Sequence, residues 1–228
     1  VLVAAPDHEA SGSGAAMTAT QDGGRIVIAV RELPGLPSVR AYAVPAAPAF
    51  IAFTAVRAAF GPQPGLLLSG INLGPNTGKA IVHSGTVGAA MTAASHGRRA
   101  AAFSLDAPGP AGDLHWETAE AVAAQIIPVL TDLPRGQLLN VNVPNVPPAR
   151  LRGIRQGSLA ETGTVEIAVT YKGDEFLQVT MAAAEPAAAG TDSALLAGGY
   201  ASVTSLAPVW ELAAPWLPWP PGDAQEIR

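Results

Sequence analysis

Two loops of the chain carry glycine and small polar side chains in patterns that suit a bound ligand. The first loop covers residues 7–14 and the second covers residues 69–78. Their residues of interest are Ser11, Ser13, Gly14, Asn72 and Asn76. Neutral Ser and Asn oxygens suit a hard cation such as Mg²⁺, and glycine lets the backbone approach a ligand closely. Each loop by itself is more often only a turn after a strand.

A third motif, the run Ser84-Gly85-Thr86, lies where the pattern predicts the start of a helix. The first N–H groups of a helix lack intrahelical acceptors, and the helix dipole there favours an anion. Oxygen ligands for a cation that face such a helix start would form a phosphate-ester site. The alternatives stay open, because Ser84 can be an ordinary N-cap, and Asn72 and Asn76 can be turn residues.

Other titratable residues near these motifs give no comparable signal. The run Asp7-His8-Glu9 has no spacing typical of metal ligands, which indicates a solvated loop. Asp192 follows Thr191, a pairing that more often fixes a turn than performs chemistry.

Short apolar runs alternate with helical patterns, which predicts an α/β fold. The predicted strands are Val1–Ala5, which should be buried, Arg40–Val44, Leu66–Ile71, Ala100–Leu105 and Leu138–Val143. The predicted helices are one opened by Pro48 with Phe53, Val56 and Phe60 on one face, one from Ser84 to Gly97, and one over residues 119–130. Runs that are apolar on both faces suit a mostly parallel, doubly wound sheet covered by helices. Ligands bind at the carboxyl ends of strands in such sheets, which is where both loops lie.

The pattern changes after about residue 148, so we divide the chain into a core, 1–148, and an extension, 149–228. Thr164–Tyr171 and Glu175–Met181 alternate in polarity around Gly173-Asp174, which predicts a β-hairpin. Tyr200–Leu206 is predicted to return as a strand. The Trp- and Pro-rich end of the chain is predicted to be an arm that packs on the body or on a partner subunit.

Composition excludes several functions. The net charge is −5 and no Lys/Arg cluster occurs, which argues against long nucleic acid as a partner. Cysteine is absent, so disulfides and thiolate metal sites are excluded. No apolar run is long enough to span a bilayer. We therefore expect a cytoplasmic protein without a membrane partner.

Four strings taken together are more specific than any one of them. They are APD-x-x-x-SG-x-G at Ala5–Gly14, SGIN-x-G-x-N-x-G at Ser69–Gly78, SGTVGAA at Ser84–Ala90 and LNVNVP at Leu139–Pro144. Their order and spacing resemble the SurE family. The resemblance implies a three-layer, Rossmann-type α/β fold, a phosphatase acting on nucleoside monophosphates, and a homodimer or homotetramer built through the hairpin and the arm.

The resemblance also implies roles for individual residues. By position, Ser11 and Asn72 resemble the neutral oxygen ligands of one divalent cation per subunit, Mg²⁺ or Mn²⁺. The implied catalytic residues are Asn76, Ser84 and Thr86, and the implied phosphate-binding residues are Ser13, Gly14 and Gly85.

The chain departs from the family pattern at three places. The family's first strand ends in Asn-Asp-Asp-Gly, whose aspartates are carboxylate metal ligands, and that motif is absent here. We therefore expect the chain to be an N-terminally truncated form. Phe50 stands where the family has an acidic residue, and His83 stands where an aromatic residue is usual.

Three hypotheses follow for the function. The first is a metal-dependent phosphatase that hydrolyses nucleoside 5′- or 3′-monophosphates through direct attack by water. The second is a non-catalytic binder that keeps the phosphate site without the metal. The third is a purely structural oligomer. The intact Ser-Gly-Ile-Asn and Ser-Gly-Thr strings favour the first.

Overall fold

The structure is a computed structural model, and it describes residues 1–107, 112–163, 165–172, 177–183 and 186–209. Its strands are β1 Leu2–Pro6, β2 Ala29–Arg31, β3 Arg40–Val44, β4 Leu66–Leu73, β5 Arg99–Asp106, β6 Leu138–Pro144, β7 Ile154–Gln156, β8 Val165–Lys172, β9 Leu177–Ala183 and β10 Ala201–Leu206. Its α-helices are α1 Pro48–Val56, α2 Gly85–Ser95, α3 Trp116–Val129 and α4 Asp192–Ala197. Short 3₁₀ helices cover Lys79–His83 and Pro148–Arg150.

The larger sheet has the strand order β4-β5-β6-β10-β7. Strands β4, β5 and β6 are parallel, β10 is antiparallel to β6, and β7 is parallel to β10. All seven residues of β6 are buried, as are the central residues of β5, because helices cover both faces. The predicted mostly parallel α/β sheet is thereby confirmed.

The two faces of this sheet pack against different helices. Ala101, Phe103 and Leu105 of β5 join one buried cluster with residues of α3. Their neighbours Ala100 and Ala102 point to the other face and join a second cluster with α2. This alternation follows the period of two of a strand. The result is the predicted three-layer arrangement of helix, sheet and helix.

A smaller sheet has the order β1-β3-β2, with β1 parallel to β3. We predicted a buried strand at the start of the chain, and that prediction is wrong for the described residues. Along β1 half-buried residues alternate with exposed ones, and Val3 keeps 36% of its surface. The reason is that, within the described ranges, β1 pairs on one side only, with β3.

Helix α1 begins at Pro48 and buries Val56, but Phe60, which was predicted to lie on the same helical face, is not part of the helix. The helix ends at Val56, and its buried residues also include Ile51 and Ala52. Phe60 lies beyond the helix, where its ring packs on Tyr42 at 5.5 Å between centroids. Phe53 is half-buried and contacts His96.

The sequence patterns predicted some of the elements of the extension, residues 149–228. The predicted hairpin is confirmed as the antiparallel pair β8–β9, whereas its turn at Gly173-Asp174 lies outside the described residues. The returning strand is confirmed as β10. The predicted Trp- and Pro-rich arm lies outside the described residues from 210 onward. Among the helices that the structure describes, none has the length and apolar character needed to cross a bilayer.

Candidate active site

The start of α2 is built by a local cap and by close packing. Ser84 is the N-cap, and its Oγ accepts a hydrogen bond from the Val87 N–H at 3.1 Å. The first intrahelical bond runs from the Gly88 N–H to the Ser84 carbonyl at 2.8 Å. The N–H groups of Gly85 and Thr86 precede that bond, so they are available to an anion.

The loop after β1 lies directly against this helix start. The Gly14 N–H donates to the His83 carbonyl at 3.0 Å. A Cβ atom on Gly88 would overlap the Gly14 carbonyl, and one on Gly85 would lie 2.5 Å from Ser13 Oγ. Glycine at both helix positions is therefore what lets loop and helix approach so closely.

The end of β4 and the loop after it contribute two asparagines, Asn72 and Asn76. The Asn72 amide nitrogen donates to the carbonyls of Leu73 at 3.2 Å and Gly74 at 2.8 Å. This arrangement leaves Asn72 Oδ1 as an acceptor on the other side of the amide. Asn76 Nδ2 donates to the hydroxyl of Ser104 on β5 at 2.7 Å.

A cavity of about 640 Å³ lies between the two loops and the helix start. Its lining consists of Pro6, Glu9, Ala10, Ser11, Gly12, Pro48, Asn72, Leu73, Asn76, Ala80, His83, Ser84, Gly85 and Thr86. Six of the eight predicted site residues line it. The other two, Ser13 and Gly14, are not in the lining and lie against Gly85 and Gly88 of α2.

The sequence patterns missed Glu9 as a residue of the cavity. Its carboxylate accepts a hydrogen bond from Ser11 Oγ at 3.0 Å, and its side chain is exposed. The sequence signal for Glu9 is its position two residues before Ser11. The run Asp7-His8-Glu9 has no spacing typical of metal ligands, so the pattern indicated a solvated loop instead. His83 also lines the cavity and is exposed. Asp7 instead pairs with His8 at 2.6 Å.

A second concavity of about 710 Å³ lies beside β7 and β10. Its described lining has no charged side chain, being made of Gln156, Gly157, Ser158, Leu159, Gly190, Thr204, Ser205 and Leu206. None of the predicted site residues reaches it. We therefore place the candidate site in the cavity at α2.

Ser11, Asn72 and Glu9 have the ligand type that a hard divalent cation prefers, because all three side chains carry oxygen and line the same cavity. Glu9 is the one carboxylate among the described residues of the lining. The described part of the chain contains no group of three or more His, Cys, Asp or Glu side chains placed to hold a metal ion. Within the described cavity lining, the remaining side-chain oxygens are neutral.

Two carboxyl groups outside the cavity have shifted pKa values. Asp106, at the carboxyl end of β5, has its pKa raised above the usual 3.8 because burial disfavours the charged form. Glu117 has its pKa lowered by its hydrogen bond with His115, at 2.8 Å.

The fold and the cavity define an α/β protein in which a helix N-terminus and the side chains of Ser11 and Asn72 line one cavity near the carboxyl ends of strands. The family model for survival protein SurE matches residues 1–166 of the chain. The chain belongs to the SurE family.

Individual relatives agree with this assignment. The chain is 34% identical to a protein of Edwardsiella ictaluri named 5′/3′-nucleotidase SurE, over 90% of this chain and 78% of the relative. It is 31% identical to a 5′-nucleotidase SurE of Aeromonas hydrophila, over 90% of this chain and 81% of the relative. The crystal structure of the SurE protein from Aquifex aeolicus superimposes with a TM-score of 0.71 at 28% identity, covering 91% of this chain and 82% of that one.

Proposed function

We propose that the protein is a nucleotidase that hydrolyses nucleoside 5′- or 3′-monophosphates to a nucleoside and inorganic phosphate. The relatives named 5′/3′-nucleotidase and 5′-nucleotidase support the reaction. The observation that carries the proposal is that the start of α2, Asn72 and Asn76 all line the same cavity. A phosphate monoester is a dianion, and a capped helix start beside amide donors is suited to bind it.

The proposed chemistry is one displacement at phosphorus. A water molecule attacks, the ester bond to the nucleoside oxygen breaks, and that oxygen leaves with a proton as the nucleoside hydroxyl. Negative charge on the phosphoryl oxygens is met by the N–H groups of Gly85 and Thr86, the Thr86 hydroxyl and the Asn76 amide. Ser13, Gly14 and Gly85 keep the loop and the helix start close enough for both to contact the phosphate.

We include metal dependence in the proposal, with Mg²⁺ or Mn²⁺ as the cation. Ser11 and Asn72 would hold it, beside Glu9. When bound, such a cation supplies polarisation of the phosphoryl oxygens and a more acidic water.

Assembly as a homodimer or homotetramer is also part of the proposal. The hairpin β8–β9 forms a two-stranded sheet of its own in the described structure, apart from the two larger sheets. An isolated two-stranded hairpin is marginally stable in water, so packing against a second copy would stabilise it. The cytoplasmic location stays a prediction.

The test is phosphate release from nucleoside 5′- and 3′-monophosphates by the purified protein. Release should be measured after chelation and again after adding Mg²⁺ or Mn²⁺. We expect release that depends on the added cation, with nucleoside and phosphate formed in equal amounts.

Nucleotide binding is measured in parallel by calorimetry. Metal-independent binding without release under any condition would overturn the proposal in favour of the non-catalytic binder. Release that is unaffected by chelation would overturn its metal dependence alone.

A further inference from the structure

Strand β6 carries two fully buried amides, Asn140 and Asn142, each with 0% of its surface exposed. They are two residues apart on a strand, so both project from the same face. An amide without a hydrogen bond is costly in such surroundings. Their hydrogen-bond partners therefore indicate the role of these two side chains.

Both amides bind the main chain of one residue, Asn76. The Asn76 N–H donates to Asn142 Oδ1 at 2.7 Å. The Asn76 carbonyl accepts from Asn140 Nδ2 and from Asn142 Nδ2, each at 2.8 Å. Both polar main-chain groups of a cavity residue are thus tied to a strand more than 60 positions away.

The side chain of Asn76 is fixed as well. Its Nδ2 donates to Ser104 Oγ at 2.7 Å, and Ser104 on β5 is also fully buried. An amide nitrogen carries two protons, so one proton and the oxygen remain for the cavity. We name Ser104, Asn140 and Asn142 the Asn76 cradle.

We propose that the Asn76 cradle positions Asn76 for phosphoryl transfer, which makes Ser104, Asn140 and Asn142 positioning residues of the site. This inference rests on the proposed function. The reason is preorganisation, because a donor that is already oriented stabilises developing charge without further reorganisation. A displacement of about 1 Å in such a group can cost about 100-fold in rate.

The sheet provides a matched control for the cradle. Asn142 lies in register with Ser104 on β5 and with Ser202 on β10. Both serines are fully buried. Ser104 accepts from Asn76, whereas Ser202 Oγ has no hydrogen-bond partner among the described residues. Ser104→Ala and Ser202→Ala therefore remove the same atom on either side of Asn142, and only the first removes a hydrogen bond to Asn76.

The experiment compares steady-state phosphate release by the two alanine variants under the same nucleotide and cation. We expect Ser104→Ala to lower kcat about 10-fold, with KM changed less than about 2-fold, because an oriented transition-state donor is loosened. Ser202→Ala should keep both constants. Asn142→Ala removes two of the three main-chain bonds and should lower kcat by about 100-fold or more. Asn140→Ala, which removes one, should have an intermediate effect.

Equal kcat values for Ser104→Ala and Ser202→Ala would overturn the inference, even if the asparagine variants fail to fold. Amide hydrogen exchange provides a reading that needs no activity, since the Asn76 N–H should be strongly protected in the wild-type protein. Fast exchange at Asn76 would overturn the cradle itself. If that N–H is protected but the wild-type protein releases no phosphate, the proposed function fails and the inferred positioning role fails with it.

Discussion

The two walls of the cavity are held in different ways. The first wall, residues 9–14, follows β1, and three of its six residues are exposed. The second wall, residues 72–78, begins at the end of β4 and is hydrogen-bonded to fully buried side chains of β5 and β6. The first wall is held at Gly14, which donates to the His83 carbonyl and lies against Gly88 of α2.

This difference indicates where rigidity in the site comes from. The second wall is anchored on the central strands of the larger sheet, so its geometry is as stable as the core. The first wall belongs to the smaller sheet and depends on packing between two glycines. We therefore expect changes to the anchors of the second wall to cost more free energy than changes to the first.

The largest effect should come from Asp192→Ala. The Asp192 carboxylate is fully buried and accepts from the N–H groups of Gly78 at 2.9 Å, Ala160 at 2.9 Å and Ser193 at 2.8 Å. Removing it leaves three donors unpaired, at about 1–3 kcal/mol each, so the free energy of unfolding should fall by more than about 3 kcal/mol. Denaturant unfolding checks this, with the exposed Asp132→Ala as control. A loss below about 1 kcal/mol would show that the second wall has another anchor.

The next effect should come from Gly88→Ala, which adds one methyl group against the Gly14 backbone. Overpacking costs about 1–3 kcal/mol, whereas alanine in a helix gains about 1 kcal/mol over glycine. We expect a net loss of about 0–2 kcal/mol in the free energy of unfolding and weaker nucleotide binding. The control is Gly65→Ala, where an added Cβ has nothing within 4 Å. A stabilised Gly88→Ala protein would show that the first wall is free to move away.

A smaller effect is expected for Ser84→Ala, which removes the cap of the helix that both walls share. Loss of an N-cap costs about 1 kcal/mol. The matched control is Ser95→Ala on the last turn of the same helix, where the hydroxyl is exposed and bonds the Met91 carbonyl. Equal unfolding free energies for the two variants would contradict the assigned cap.

The smallest effect concerns Asp106, which ends β5 beside the second wall. Burial raises the pKa of Asp106 in the folded state, so the folded protein binds this proton more tightly than the unfolded chain does. Its contribution to stability therefore falls as pH rises from the usual 3.8 through the raised value. Asp106→Asn should be more stable than wild type at neutral pH, and the difference should vanish below that window. Thermal unfolding across pH measures it, and a neutral-pH destabilisation would contradict the assigned cause.

Much of this arrangement could be predicted from the sequence, and the remainder depends on tertiary contacts. The apolar runs predicted β4, β5 and β6, and Ser84 with Gly97 predicted the ends of α2. Strands β2 and β7 were missed because three residues are too short to show a period. The predicted helix at Pro48 ran too far, to Phe60, because nothing in the apolar spacing marks the end of α1 at Val56.

The site residues divide in the same way. Ser11, Asn72 and Asn76 lie near strand ends, so local patterns and the family resemblance could point to them. Asn140 and Asn142 were visible within the string LNVNVP, yet their contact with Asn76 depends on how β4 and β6 are placed about β5. No spacing along the chain shows that contact.

The most direct test of a phosphatase site at the start of α2 compares the rates of phosphate release by Thr86→Val and Thr92→Val. Thr86 lies in the cavity at the α2 start, whereas Thr92 lies further along the same helix and bonds the Gly88 carbonyl. If the helix start holds the phosphoryl group, Thr86→Val should lower kcat/KM of the wild-type protein about 10-fold or more. Thr92→Val should remain within about 2-fold. Equal rates in both variants, or no phosphate release by the wild-type protein, would contradict a phosphatase site at this helix start.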